Sequence, residues 1–260
     1  MVSHSRTVLT ARHRGRDYRL SAWFRDSGDE LVLFVHGLGC SKESWRKAWS
    51  APALYGKSLL AFDLPGFGSS ARPADYSHDL KEQAGLLASI IDAHASRRLW
   101  VVAHSMGGSI ATLLPPTAAR RIDGLILVEA RLLRASCSVS VGATAVDFDT
   151  FTTTTFPEFR QRVLLDRRAA FDLDRVDREA FYRCSQSLVS YTGGAGLVDQ
   201  FARLDCAKAF VYGADNGHLA ELDCLAPDQV HEIAGAGHFV MNDSPEAFYG
   251  LLEQLTGEPE

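Results

Sequence analysis

Short runs rich in apolar residues recur along the chain, and segments with leucine, isoleucine and alanine at helical spacing separate them. Apolar runs of this length are typical of strands that are buried on both faces of a parallel sheet. We predict six such strands, at 31–35, 58–62, 99–102, 124–128, 209–212 and 230–233. Before them, residues 6–10 and 18–24 alternate around Gly15, which predicts an antiparallel hairpin. Together these elements predict an α/β fold with a mostly parallel central sheet flanked by helices.

Serine residues mark the predicted starts of two helices. Ser77 precedes a segment with helical spacing, and Ser244 precedes Pro245 near the end of the chain. A serine hydroxyl accepts a hydrogen bond from a free amide of the first helical turn, and proline at the first position loses no hydrogen bond. We therefore predict both serines as helix caps. Another helix is predicted at 44–49, where two tryptophans are four residues apart.

The segment 131–195 is too long for an ordinary connection between strands. We predict that it is an inserted cap or lid, and that 1–130 and 196–260 together form the core that carries the sheet. The second half of the insert has helical spacing, whereas the threonine-rich stretch 150–155 predicts an extended segment. A largely helical insert over the carboxyl edge of the sheet would supply most of a substrate pocket.

Charge and length restrict the partners of this chain. It has 260 residues, enough for one large α/β domain with an insertion, and its net charge is −5. Acidic and basic residues are interspersed, which argues against binding to nucleic acid or to an anionic membrane and favours a small apolar or amphipathic partner. No apolar window is long enough to span a bilayer, and residues 1–18 lack the apolar run of a signal peptide.

The five cysteines are scattered, and none forms a CxxC pair. This spacing argues against a disulfide framework and against a zinc site. Reduced, isolated thiols are typical of intracellular proteins, so we predict a cytoplasmic protein without a metal.

The sequence Ala103-His104-Ser105-Met106-Gly107 lies between a predicted strand and a predicted helix. A serine in such a sharp strand-to-helix turn has a strained backbone, so the residues two before and two after it must be small. Alanine and glycine meet this requirement. The pattern predicts a nucleophile elbow with Ser105 at its tip.

Four motifs occur in an order that resembles the α/β-hydrolase superfamily. They are the His-Gly motif at 34–39, the Asp-Leu-Pro-Gly loop at 63–70, the Ser105 elbow and the late Gly-His pair at 237–238. The resemblance covers nearly the whole chain outside the insert. It implies the α/β-hydrolase fold in its serine-nucleophile branch, since an aspartate would stand at the elbow in haloalkane dehalogenases and epoxide hydrolases.

The resemblance also implies roles for individual residues. Ser105 would be the nucleophile and His238 the base that removes its proton. The oxyanion hole would consist of the backbone amides of Leu38 and Met106.

Two residues compete for the role of the acid that orients the histidine. Superfamily members usually have an aspartate at the position of Asn216, and Asp215 lies one residue earlier. Glu129 ends the preceding strand, where a minority of the superfamily has its acid. A charged residue that ends a buried strand needs a partner, which is either His238 or a salt bridge to Arg131 or Arg134. We favour Glu129 and keep Asp215 as the alternative.

These features predict a serine hydrolase without a cofactor, which cleaves a small carboxylic ester, thioester or lactone. Candidates for substrate binding are His36, Phe148 and Phe151. One alternative is a biosynthetic enzyme of the same fold that performs C–C hydrolysis, cyclisation or elimination on a polyketide-like substrate. Another is a ligand-binding receptor whose triad is idle. Cys40 is interpreted as a packing residue, and Asp63 as the anchor of its own loop.

Overall fold

An eight-stranded sheet forms the centre of the molecule in a computed structural model, which describes residues 5–94, 97–166 and 168–257. The strand order is β1-β2-β4-β3-β5-β6-β7-β8, with antiparallel pairing at β1/β2 and β2/β4 and parallel pairing elsewhere. The predicted α/β fold is thus confirmed. The strands are β1 (Ser5–His13), β2 (Arg16–Arg25), β3 (Glu30–Val35), β4 (Ser58–Phe62), β5 (Arg98–His104), β6 (Gly124–Val128), β7 (Ala207–Gly213) and β8 (Val230–Ile233).

Helices connect the strands, and several of them lie between β6 and β7, mostly in the segment 131–195 predicted as the insert. The helices are α1 (Leu80–Ala93), α2 (Met106–Thr112), α3 (Pro116–Ala119), α4 (Ser138–Thr144), α5 (Phe148–Thr150), α6 (Phe156–Leu165), α7 (Arg178–Tyr191), α8 (Gly196–Arg203), α9 (Val240–Asp243) and α10 (Pro245–Thr256). The predicted helix around the two tryptophans is a 3₁₀ helix over Lys42–Ser50. A helix long and apolar enough to cross a membrane is absent from the described ranges.

The central strands are buried on both faces because hydrophobic clusters cover each side of the sheet. In β3, Leu31 and Leu33 face one cluster, whereas Val32 and Phe34 face the other. Every residue of β4 and β6 is buried as well. This burial explains why these strands have continuous apolar sequences instead of alternating ones.

Of the two predicted serine caps, Ser77 is wrong, and Ser244 is confirmed in position but not in its hydrogen bond. Helix α1 is capped by Asp79, whose carboxylate accepts a hydrogen bond from the amide of Lys81, at 2.8 Å. His78 has a φ of 58°, which delays the start of the helix by two residues relative to a cap at Ser77. Ser244 does occupy the cap position of α10, but its hydroxyl donates to the carbonyl of Ala234 instead.

The predicted extended stretch at 150–155 is also wrong, because it is helical. Asp147 caps α5 by accepting a hydrogen bond from the amide of Thr150, and residues 151–155 continue as one wide π-helical turn into α6. The hydroxyls of Thr152 and Thr153 bond to the carbonyl of Asp149, within the helix itself. Threonine is a weak helix former, and here such bonds and the burial of neighbouring phenylalanines outweigh its preference.

The insert lies against loops at the carboxyl edge of the sheet. The amide of Asp172 donates to the carbonyl of Gly39, which follows β3, and the amide of Asp177 donates to that of Gly66, which follows β4, both at 2.8 Å. A Cβ atom on Gly39 would lie 3.0 Å from a side-chain carbon of Phe181. The insert therefore covers the edge at which parallel strands of α/β proteins present their functional loops.

A buried ion pair joins two of these loops. The carboxylate of Asp63 accepts hydrogen bonds from the amide and the ammonium group of Lys42, at 2.7 and 2.6 Å, and from the amide of Ser69, at 2.8 Å. Both charged side chains are almost inaccessible to solvent. Asp63 thus anchors its loop, as predicted. Of the N-terminal segment predicted to lack a signal peptide, residues 1–4 lie outside the described residues.

The first prediction concerns this ion pair. Asp63→Asn leaves the ammonium group of Lys42 buried without a counter-charge, so we expect the free energy of unfolding to fall by about 3–5 kcal/mol. Urea denaturation measures the change. The matched control is Asp17→Asn, which breaks an exposed pair with Arg12 at 3.9 Å and is expected to change stability by less than about 0.5 kcal/mol. Equal effects of the two substitutions would contradict the prediction.

Candidate active site

Ser105 occupies a strained turn between β5 and α2. Its φ of 53° and ψ of −120° lie outside the regions that non-glycine residues prefer. Its amide donates to the carbonyl of Val128, at 2.9 Å, and its carbonyl accepts from the amides of Gly108 and Arg131. These bonds hold the strained backbone, as expected for a nucleophile elbow.

Small residues allow the elbow to form. A Cβ atom on Gly107 would lie 2.6 Å from the carbonyl oxygen of His36, and one on Gly37 would lie 2.9 Å from the Cβ of Ser105. Both distances are too short for a Cβ atom and a neighbour to which it is not bonded. Glycine at these two positions therefore lets the loop after β3 approach Ser105.

His238 lies in the loop after β8, and its backbone is held from two sides. The amide of the preceding residue, Gly237, donates to the carboxylate of Asp243, at 2.9 Å. His104 Nε2 donates to the carbonyl of His238, also at 2.9 Å, and the two rings pack with centroids 4.6 Å apart. His104 thus holds the backbone of His238 in position.

Glu129 lies directly after β6, is fully buried, and has a φ of 49°. Its Oε1 accepts a hydrogen bond from the amide of Gly213, at 2.9 Å, and its Oε2 accepts one from Asn216 Nδ2, at 3.1 Å. Oε2 also lies 3.3 Å from His238 Nδ1. The carboxylate therefore has the position that an orienting acid requires.

Asp215, the alternative acid, points elsewhere. Its carboxylate pairs with Arg168 at 2.7 Å and is half exposed. Arg168 also bonds to Asp243, at 3.0 Å. Of the two candidate acids, the structure brings only Glu129 to the imidazole of His238.

Arg131 competes with Glu129 for the same imidazole nitrogen. Its Nη2 lies 2.9 Å from His238 Nδ1 and 3.8 Å from Glu129 Oε2. When Nδ1 accepts from Arg131, the ring proton is on Nε2; when Nδ1 carries the proton, it donates to Glu129. The sequence allowed two partners for Glu129, His238 or an arginine. The structure places its carboxylate near both His238 and Arg131.

Burial shifts the pKa values of the titratable side chains in this site. Desolvation, and then the charge of Arg131, lower the pKa of His238 well below its usual value, so its imidazole is neutral at neutral pH. Burial raises the pKa of Glu129, whereas the amide of Gly213 opposes this shift. Desolvation also lowers the pKa of His104, which stays a neutral donor to the backbone.

The three other residues named from the loop and elbow motifs have different surroundings. Leu38 contributes to the small cavity that also contains Ser105 and His238. Met106 is buried at the first position of α2. His36 is fully buried: Nδ1 bonds to the carbonyl of Gly37, at 2.8 Å, and Nε2 accepts from the amide of Leu64, at 3.0 Å. His36 therefore holds its loop, and it does not line this cavity.

Two cavities involve the insert: core residues contribute to the walls of the small cavity, whereas insert residues line the large one. The small cavity, of about 70 Å³, is lined by residues that include Leu38, Ser105, Arg131, Val139, Phe171 and His238. The large cavity, of about 530 Å³, is lined by residues that include Val139, Gly142, Phe151, Phe159, Phe171 and Phe181. Val139 and Phe171 belong to both linings, so the cavities adjoin. Of the two candidate phenylalanines, Phe151 lines the large cavity and Phe148 lines a separate groove.

Three residues of the site were not predicted from the sequence as functional. Arg131 was considered only as a salt-bridge partner, although its position two residues after Glu129 is a usable signal. Phe171 packs edge-on against Phe239, with ring centroids 5.0 Å apart, and lines both cavities. Glu221 is buried and accepts hydrogen bonds from the amides of the two residues after Arg131. No sequence pattern marks it.

Cys40 does not have the properties of a nucleophile. Burial raises the pKa of its thiol to about 12. Over the described ranges, no three His, Cys, Asp or Glu side chains are arranged to hold a metal ion.

A family model described as the alpha/beta hydrolase family matches residues 32–251. The chain belongs to this family. Among curated relatives, an esterase of Mycobacterium tuberculosis is 25% identical in an alignment 248 residues long, which covers 87% of this chain and 81% of the esterase. An acetyltransferase component of the acetoin cleaving system of Cupriavidus necator is 35% identical over 104 residues, 40% of this chain, and the match spans only 27% of that relative.

Solved structures of other alpha/beta hydrolases share the fold along the whole chain. A mutant of the N-acyl homoserine lactonase AidH, complexed with N-hexanoyl homoserine, superposes with a TM-score of 0.77, at 18% identity and with 99% of both chains covered. The epoxide hydrolase CorEH superposes with a TM-score of 0.73, at 17% identity, over 97% of this chain and 98% of its own. At these levels of sequence identity, the structural similarity shows the shared fold alone.

The second prediction follows from the charge of Arg131. In this alpha/beta hydrolase, Arg131→Gln removes a positive charge beside His238, so protonated imidazole becomes less unfavourable and the pKa of His238 rises. We expect its titration midpoint, followed by the NMR shifts of the imidazole, to move to higher pH. The control is Arg134→Gln, which alters an exposed arginine nearby. An unchanged or lower pKa in Arg131→Gln would show that the guanidinium does not act on His238.

Proposed function

We propose that this chain is a serine hydrolase that cleaves a small carboxylic ester, thioester or lactone. The observation that carries the proposal is the convergence of Ser105, His238 and Glu129 at the carboxyl edge of the sheet. Ser105 and His238 line one cavity, and Glu129 lies 3.3 Å from His238 Nδ1. The three residues have the types, and the order along the chain, that nucleophilic acyl transfer uses, which supports the proposal.

The reaction would proceed in two steps. Ser105 Oγ attacks the carbonyl carbon while His238 Nε2 takes its proton, and the proton then passes to the leaving alcohol or thiol. In the second step His238 deprotonates water, which attacks the acyl-enzyme and releases the acid. Glu129 holds the imidazole with Nδ1–H towards Oε2 and stabilises the imidazolium. The low pKa of His238 keeps the base unprotonated at neutral pH.

The backbone amides of Leu38 and Met106 would form the oxyanion hole. Leu38 follows Gly37, whose lack of a side chain lets this loop approach Ser105. Met106 begins α2, where the first amides of a helix have no intrahelical acceptor. Donors already fixed towards the developing oxyanion are worth about 3–4 kcal/mol each in related chemistry.

The insert would act as a cap that supplies the substrate pocket. The large cavity adjoins the small one through Val139 and Phe171, and phenylalanine side chains form much of its wall. An apolar part of the substrate fits such a wall. The lactonase with which this chain shares its fold supports a cyclic or linear ester as substrate.

The third prediction tests the nucleophile and its acid. A fluorophosphonate probe is expected to form one adduct with the wild-type protein, at Ser105, and none with Ser105→Ala, as read by intact mass and peptide mapping. Glu129→Gln is expected to slow the reaction by about 100-fold or more, because the imidazole loses the carboxylate that orients it. Asp215→Asn, a change of the same size on an acid that faces Arg168, is expected to react at nearly the wild-type rate.

The possible outcomes separate the proposals. Slowing in Asp215→Asn alone would assign the acid to Asp215. Folded wild-type protein that does not react would reject the serine hydrolase and favour the non-hydrolytic enzyme or the receptor.

The fourth prediction tests the large cavity. A Cβ atom on Gly142, which lines this cavity, would meet no atom within 4 Å, so Gly142→Leu is expected to fill space without straining α4. We expect kcat/KM for para-nitrophenyl octanoate, relative to the acetate, to fall roughly tenfold. Gly250→Leu is the control, since Gly250 is also a helical glycine with open space but lies in α10. An unchanged ratio in Gly142→Leu would remove the large cavity from the substrate path.

A further inference from the structure

Arg131 is fixed beside the proposed nucleophile by its backbone. Its amide donates to the carbonyl of Ser105, at 3.3 Å. The amides of Leu132 and Leu133 both donate to the buried carboxylate of Glu221, at 3.0 Å. The side chain of Arg131 is only 15% exposed and lines the small cavity. A buried guanidinium thus stands in the cavity in which acyl transfer would take place.

The guanidinium of Arg131 has more donors than the surrounding residues have acceptors for it. An arginine side chain has five N–H donors. Among the residues that the structure describes, buried Nη1 has no hydrogen-bond partner, and Nη2 has only the neutral nitrogen of His238 within hydrogen-bonding distance. Glu129 is 3.8 Å away, and its oxygens already accept from Gly213 and Asn216. A buried, charged donor without an acceptor is costly and is a mark of a ligand site.

The contact with His238 also opposes the proposed reaction. When Arg131 donates to Nδ1, the ring proton must be on Nε2, and this tautomer cannot accept the proton of Ser105. The fraction of imidazole in the tautomer that can accept this proton rises once another acceptor occupies the guanidinium. Nδ1–H then donates to Glu129 Oε2, which lies 3.3 Å away.

The walls of the small cavity suit a small anionic group. Ser138 and Ser140 line it together with Arg131, whereas Leu38, Phe171 and Leu188 form its apolar side. Its volume of about 70 Å³ exceeds the space that a single water molecule needs. A planar guanidinium matches a carboxylate with two parallel hydrogen bonds, which a neutral substituent cannot form.

We propose that Arg131 binds a carboxylate of the substrate, so that the preferred substrates are esters, thioesters or lactones of an acid with a second, free carboxylate. This inference rests on the proposed hydrolase function and adds the charge of the substrate to it. The bound carboxylate satisfies Nη1 and draws Nη2 away from His238 Nδ1. Substrate binding thereby selects the imidazole tautomer that the acyl transfer uses.

The fifth prediction compares charged and neutral substrates. Mono-para-nitrophenyl esters of succinic, glutaric and adipic acid are each paired with the corresponding methyl para-nitrophenyl diester, and the spontaneous rate is subtracted. For at least one chain length, we expect wild-type kcat/KM to be higher for the charged ester. In Arg131→Gln this charged-to-neutral ratio is expected to fall by about tenfold to a hundredfold, the worth of a charge-assisted hydrogen bond.

Two further variants separate charge, geometry and general effects. Arg131→Lys keeps the charge but loses the planar fork, so its ratio is expected to lie between those of wild type and Arg131→Gln. Arg134→Gln removes an exposed arginine three residues away and is expected to keep the wild-type ratio. A fall in the ratio of similar size in Arg134→Gln would show that overall charge, and not Arg131, attracts the anion, and would overturn the inference.

A binding measurement with succinate and glutarate does not depend on turnover. In folded Ser105→Ala protein, either dianion is expected to shift the His238 Nδ1 resonance from that of an acceptor nitrogen to that of a protonated one. Methyl esters of the same acids are expected to have no such effect. If neither dianion changes the chemical shift of His238 Nδ1, the inference is overturned, even if Arg131→Gln fails to fold.

The outcomes also distinguish this inference from the function on which it rests. Wild-type protein that reacts with the fluorophosphonate and hydrolyses neutral esters at least as well as charged ones would overturn the carboxylate site alone. Wild-type protein that reacts with neither the fluorophosphonate nor any ester would overturn the hydrolase function and the inference with it.

Discussion

The alignment of the carboxyl ends of β5 and β6 is the constraint on which the site depends. Directly after these neighbouring strands, Ser105 and Glu129 both have positive φ values, 53° and 49°. Such a conformation costs about 1–3 kcal/mol for a residue that is not glycine. Hydrogen bonds continue one residue past each strand, from Ser105 to Val128 and from Glu129 to Val211, and offset this strain. Backbone hydrogen bonds between neighbouring strands thus hold both residues in position.

The burial of Glu129 explains the arrangement of the neighbouring loop. A carboxylate without solvent must find donors, and Gly213 and Asn216 supply two of them from the end of β7. Asparagine at position 216 is therefore a partner of the acid. An aspartate there would face Glu129 at hydrogen-bonding distance, and two adjacent carboxylates repel each other. Asp215 is free to pair with Arg168 and so stabilises the loop that bears His238.

Local patterns predicted the fold because the physical signals were local. Continuous apolar runs marked the buried strands, and the small residues around Ser105 marked a turn that tolerates nothing larger. The predictions were wrong where contacts between residues distant in the sequence determine the local structure. The threonine stretch is helical because Phe151 and Phe156 are buried in the insert, and Ser77 loses the cap because Asp79 also bonds to Ser187 and Tyr191 of α7. Arg131 and His238 are in contact although they are 107 residues apart in the sequence, and no local sequence pattern predicts this contact.

Arg131 has two opposing effects on the imidazole of His238. Its charge helps to keep the ring neutral, which a base requires, but its N–H group holds the tautomer in which Nε2 is already protonated. A residue with only the first effect could stand further away, since Coulomb interactions in a buried site act over several ångströms. Because Arg131 is within hydrogen-bonding distance, it also stabilises the tautomer that cannot act as the base, and in the empty site nothing offsets this effect. An anion at the guanidinium removes this cost and leaves Glu129 as the only partner of Nδ1, so recognition and activation would be one event.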